Sequence, residues 1–175
     1  KKSGMPGRRL DQMATLVEDG ADHRAILDAC QVHYAAPADA ASTSLVESTI
    51  DVAFSNTVLE HVPPEQILQI YTELYRVLKS DGCMMHLIDL SDHYSYSDRS
   101  ISGINFFQFS REEFSRFNND FLYQNRLLAS QHKELVEQPG FLIDVWEVRP
   151  DARALALYAE MNLHQDYAGV SASDL

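Results

Sequence analysis

The sequence predicts an α/β fold, a parallel sheet with helices on both faces. Three observations carry that expectation. Ile50-Asp51-Val52-Ala53-Phe54 is a short apolar run of strand length. After Pro64, apolar residues recur at one-turn spacing (Ile67, Leu68, Tyr71, Leu74, Tyr75, Leu78), with Glu65, Gln66, Gln69, Thr72, Glu73, Arg76 and Lys79 opposite them. Cys83 to Leu90 is then a mostly apolar run broken by His86 and Asp89, the pattern of a strand covered on both faces. Strand, helix, strand at this length is a right-handed parallel crossover.

The remaining elements follow in order. Leu10, Met13 and Leu16 give a helix over Arg8 to Val17, with Gly20 as its stop. Asp22 caps a short second helix carrying Ile26, Leu27 and Cys30. Val32–Ala35 reads as a strand, followed by the turn Ala36-Pro37-Ala38-Asp39-Ala40. Pro64 suits the first turn of the central helix, and Asp81-Gly82 is expected to supply a left-handed stop after it. Ser91 to Phe109 is irregular and rich in polar and aromatic side chains, a composition more often functional than decorative. Ser110 and Glu113 form a capping box, and Ser130 caps a helix ending near Pro139-Gly140. Phe141–Val148, with Trp146 inside it, reads as a strand at an edge or antiparallel, and Asp151 opens a last helix through Met161. No repeat or interdomain linker interrupts residues 1–175, which read as a single, partial domain.

Composition narrows the function. With 45% hydrophobic residues the chain can build a real core. A formal net charge of −12 argues against a phosphate-backbone partner. No apolar run approaches membrane-spanning length, and Lys-Lys-Ser-Gly-Met-Pro-Gly-Arg-Arg lacks the apolar core of a signal peptide. Cys30 and Cys83 have no metal-like spacing and are expected as buried free thiols in a reducing, cytoplasmic setting.

The central unit also carries a resemblance. Asp-Val-Ala-Phe-Ser-Asn-Thr-Val-Leu-Glu-His-Val-Pro, followed by Leu-Tyr-Arg-Val-Leu-Lys-Ser-Asp-Gly, resembles the middle of a class I S-adenosylmethionine-dependent methyltransferase. The likeness runs from about Tyr34 to Val148, and two motifs in order at the family's spacing make it fairly specific. It implies a Rossmann-like methyltransferase sheet, S-adenosyl-L-methionine as cofactor, and methyl transfer to an acceptor that the sequence does not identify. It makes Asp39 and Ala40 adenine-side candidates, although Asp39 is equally a turn cap. It assigns Ser55, Asn56, Thr57 and Val58 to the methionine moiety, largely through backbone groups. The Asp89 to His93 edge falls nearer the methyl acceptor.

Displacement at a sulfonium methyl needs alignment more than acid–base help, and a base matters only where the acceptor still carries its proton. Asp89, Asp92 and His93 are the candidates for that task. His61 reads instead as a helix-entry residue bonded locally, and His86 as a satisfied core histidine. The mixture of His86, Asp89, Asp92 and His93 would suit a divalent metal, but strand alternation sets His86 and Asp89 on opposite faces. No metal site is assigned on that basis.

The family's glycine-rich turn is absent: none of the seven glycines lies two positions from another. The sequence therefore reads as the carboxyl-side portion of the fold, lacking its first two strands and its last. On that reading this chain alone is inactive and binds the cofactor poorly. The competing reading is a noncatalytic, methyltransferase-like scaffold or partner subunit that lacks the cofactor loop.

Overall fold

A computed structural model describes residues 5–172 and 174. These fall into two compact units, 1–39 and 40–175.

In the first unit, helix α1 (Met5–Glu18) ends at Gly20, whose φ of 69° lies in the left-handed region. The Asp22 side chain accepts from the Arg24 and Ala25 N–H groups, both at 2.9 Å, and so caps α2 (His23–Cys30). Met13, Leu16, Ile26, Leu27 and Cys30 are half-buried as the spacing predicts, whereas Leu10, expected on the same face, is exposed. Val32–Ala35, expected as a strand, is irregular; its backbone pairs with no neighbouring strand among the described residues.

The second unit contains the crossover. Strand β1 (Ile50–Asn56) pairs in parallel with β2 (Leu78–Leu87), and α3 (Pro64–Val77) connects them. Pro64 does occupy the first turn of α3. Ile67 and Tyr71 are fully buried and Leu78 nearly so, whereas Tyr75 is 52% exposed and meets Phe141 edge-on at 5.1 Å. The expected left-handed stop at Gly82 does not occur. The chain turns extended at Leu78, and β2 begins there. Between the pairs Ile50–Leu78 and Val52–Cys83, β1 advances two residues and β2 five, so Lys79 to Gly82 bulge from the ladder. Gly82 serves close backbone approach: a Cβ there would lie 3.0–3.1 Å from the carbonyl oxygens of Lys79, Asp51 and Ile50.

One face of the β1–β2 pair is covered. Leu59, Ile67, Tyr71 and Val136 form its core with Met84, Phe141 and Ile143, and α6 (Ala129–Glu137) packs on α3. The other face presents Val52, Phe54, Met85 and Leu87, which are 54–76% exposed, together with exposed Cys83. Burial on both faces, and of both thiols, is thus corrected: Cys30 is half-buried and Cys83 is open. Phe141–Val148 is also not a strand. Phe141 and Ile143 point into the core while Leu142 and Val145 point out, but among the described residues no strand lies alongside to complete a ladder.

Beyond β2 come the short α4 (Tyr94–Ser97) and α5 (Arg111–Ser115), then α6 and α7 (Ala152–Tyr158). The Ser110–Glu113 capping box and the Asp151 cap form as the sequence predicts, although α7 stops short of Met161. Ser130 lies inside α6 instead of capping it. Asp174 caps that helix, its carboxylate accepting from the Ser130 N–H at 2.6 Å and the Ser130 hydroxyl at 2.7 Å. A second core gathers Ile104, Phe106, Phe107, Phe114, Leu128 and Ala154. Arg126 braces it, lying 4.5 Å above the Phe114 ring and donating to the carbonyls of Phe106 and Phe109.

Two outcomes follow from this packing. Gly82→Ala forces a methyl against three backbone carbonyls that cannot rotate away, so urea denaturation should show a loss of about 1–3 kcal/mol. His132 is buried in α6, and burial, with His86 nearby, pushes its pKa from 6.5 down to about 4. Between those values the unfolded chain binds the proton and the folded chain does not. Stability should therefore fall as pH drops from 6.5 towards 4, with a shallower slope of melting temperature for His132→Leu.

Candidate functional site

Two adjacent parallel strands deliver the loops at their carboxyl ends to one edge. β1 ends at Asn56, and Thr57 follows with φ of 50°, an unusual left-handed conformation for a β-branched residue. The Thr57 N–H donates to the Leu87 carbonyl at 2.8 Å, tying this turn to the end of β2. Asn56, Thr57 and Val58 are exposed, and Ser55 is half-buried. A single 3₁₀ turn, Leu59–His61, leads into α3. From β2 the chain passes through Asp89 and Asp92 to His93, just before α4.

The predicted residues separate by role. Asp89 accepts from the N–H and hydroxyl of Ser91 and from the Tyr96 hydroxyl. Burial opposes its ionisation, but these donors outweigh burial and hold the carboxyl below its usual range. His93 stands with Nε2 3.5 Å from Asp89 Oδ2 and stacks on Tyr96. Asp92 is 1% exposed and accepts from the Tyr94 N–H and the Asn105 amide, bonds that fold the loop. Ser55 and His86, partners in the ladder, bond through Oγ and Nδ1 at 2.7 Å. His86 is only partly satisfied, since its buried Nε2 meets no partner among the described residues, and burial lowers its pKa. Asp39 ends the first unit and Ala40 opens the second, without the strand expected to lead into them.

The His61 N–H bonds locally, to the Val58 carbonyl at 3.0 Å, but its ring does not. Its Nδ1 lies 2.8 Å from the Tyr123 carbonyl, 62 residues away. A carbonyl can only accept, so Nδ1 carries the hydrogen and Nε2 keeps a lone pair. Glu60, which the sequence reading passed over, is 1% exposed with both carboxylate oxygens unpartnered among the described residues. Its signal was a lone acid in the apolar stretch Val58-Leu59-Glu60-His61-Val62.

One short segment fastens this edge. Tyr123 holds His61. The Gln124 side chain accepts from the His93 N–H and donates to the Ser91 carbonyl. Asn125 donates its side-chain amide to the carbonyls of Leu59 at 2.7 Å and Val62 at 2.8 Å, and its N–H to the Glu60 carbonyl at 2.7 Å. A larger groove, about 1230 Å³, runs between α3 and Gly140–Asp144, but no residue of this edge lines it.

Comparison with known proteins adds one finding, which covers less than half of the chain. Residues 11–86 match the family model described as a methyltransferase domain. That match supports the class I S-adenosylmethionine-dependent methyltransferase family, and with it methyl transfer in general. The methyltransferase match takes in the whole β1–α3 segment and stops at His86, within β2, so Asp89, Asp92 and His93 lie outside it. It also starts upstream of the likeness read from the sequence, and among the described residues 11–49 form helices and irregular chain but no strand. No curated protein and no solved structure matches the chain. Among the described residues, no helix is long and apolar enough to cross a membrane.

Asn125→Ala would take the side-chain donor from the Val62 carbonyl and leave the Leu59 carbonyl with only the Val62 N–H, at 3.2 Å. Guanidinium denaturation should register a loss of about 1–3 kcal/mol, the cost of an unpaired buried polar group.

Proposed function

We propose that this protein is an S-adenosylmethionine-dependent methyltransferase, moving the sulfonium methyl to its acceptor by direct displacement. The observation that carries the reading is the strained turn at Thr57, at the carboxyl end of β1 and inside the matched residues. Strain of this kind concentrates at ligand-holding sites. The turn exposes the polar side chains of Asn56 and Thr57, which fit the amino and carboxylate groups of a methionine moiety. Asp39 and Ala40 remain the adenine-side candidates. When bound, the cofactor supplies an electrophilic methyl; the chain's part is to hold and orient it.

The acceptor belongs beside Asp89 and His93. Asp89 is held ionised, so it can orient His93, and His93 can take a proton from an acceptor that still carries one. Cys30 and Cys83 are free thiols, which suits the cytoplasm. The noncatalytic reading is favoured by one observation, the absence of paired glycines that would let backbone approach the cofactor.

Titrating the ¹⁵N-labelled chain with S-adenosylhomocysteine tests the proposal. A few hydrogen bonds of about 0.5–1.5 kcal/mol each oppose an association cost of about 4 kcal/mol or more, so binding should be millimolar at best. Saturable shifts should centre on the amides of Ser55 to Val58. A micromolar constant would overturn the weak-binding expectation, and saturable shifts that spare Ser55 to Val58 would overturn the placement of the methionine moiety.

A further inference from the structure

Glu60, His61 and His93 each offer one ligand atom, and the three atoms lie within 4.8 Å of one another. We infer that these residues form a binding site for a divalent transition-metal cation. Four independent features of the geometry support it. The topology converges the donors, because Glu60 and His61 follow β1 while His93 follows β2, its parallel neighbour. The Glu60 carboxylate is buried with neither oxygen paired among the described residues, which is the arrangement a buried cation would satisfy. The Nδ1 hydrogen of His61 is committed to the Tyr123 carbonyl, the outer bond that fixes a metal-binding imidazole with Nε2 free. His93 Nε2 is buried without a hydrogen bond, its nearest acid being Asp89 at 3.5 Å.

Two imidazoles and a carboxylate suit zinc or iron(II) better than magnesium or calcium, which prefer all-oxygen sets. Zinc ligation at about 2.0–2.2 Å requires the donors to draw together from their present separation. Exposed His61 and half-buried His93 leave room for that movement and an entry path from solvent. The Tyr123 to Asn125 segment supplies the outer shell, as it grips the backbone beside every proposed ligand. This inference does not rest on methyl transfer, and its test contains no cofactor; with metal bound it excludes the proton-accepting role of His93, because the Nε2 lone pair that holds a cation cannot also take a proton.

Calorimetry of the metal-free chain with ZnCl₂, paired with cobalt(II) absorption, provides the test. One equivalent should bind, with visible cobalt bands of a nitrogen- and oxygen-ligated site and a raised melting temperature. Glu60→Gln and His93→Gln should each weaken zinc binding by about 100-fold or more, and Asn125→Ala by about 10–100-fold. His33→Gln, in the other unit, should leave it unchanged. Without metal, Glu60→Gln should melt higher than wild type, since it removes an unpaired buried acid; with zinc the order should reverse. If Glu60→Gln does not fold, His93→Gln decides through affinity alone. Equal zinc affinity in wild type and His93→Gln would overturn the site, as would no saturable binding. A Glu60–His93 ion pair indifferent to zinc would do so too.

Discussion

The parallel pairing of β1 with β2 is the constraint on which the second unit depends. Parallel neighbours cannot be joined by a tight turn, so the chain must cross over, and α3 is that crossing. The crossing buries Ile67 and Tyr71 against one face of the pair and sends both carboxyl-terminal loops to the same edge. Everything chemically interesting in this unit follows from that convergence. Gly82 eases the pairing, because three carbonyls lie 3.0–3.1 Å from where any Cβ would sit.

Convergence alone would leave the loops loose. Their backbone groups need partners, because neither loop can continue the ladder past Asn56 and Leu87. The partners come from a third stretch, Tyr123 to Asn125, whose amide side chains bond both loops at once. Asn125 is suited to this, as its amide offers two donors that serve the Leu59 and Val62 carbonyls. The edge is therefore a small platform braced through its backbone, and the 3₁₀ turn bearing Glu60 and His61 is bonded to Tyr123 and Asn125.

How legible was this in the sequence? Features fixed within one helical turn were plain: Asp22, Ser110 and Asp151 cap their helices, Gly20 stops α1, and the periodicity of α3 marks its buried face. Features needing a distant partner were not. Val32–Ala35 and Phe141–Val148 have strand-like residues, but a strand exists only where a neighbour completes its ladder. Ser130 has a capping side chain, yet Asp174 performs the capping from 44 residues away. Gly82 looked like a turn because glycine permits one; its real constraint is a contact with Ile50 and Asp51 across the ladder. At the candidate site, Asp89 and His93 stood out because they follow the end of an apolar run that reads as a strand. Glu60 was missed because a single acid between apolar residues has no period to betray it.

The buried polar groups of this unit show how the protein ordinarily handles such residues. Beneath the sheet, His86 and His132 have lowered pKa values and Tyr71 a raised one, all driven by burial, so each stays neutral where it sits. At the edge, Asp89 remains charged because three donors reach it, and Asp92 is likewise bonded by Tyr94 and Asn105. Neutralisation and donation are thus both in use within a few residues. Glu60 receives no donor from the described residues, although Tyr123 to Asn125 bring amide groups to its own backbone. Asp89 and Asp92 receive hydrogen bonds along this edge, while Glu60, as enclosed as Asp92 at 1% exposure, receives none from the described residues, so its carboxylate is the one that a group from outside can satisfy.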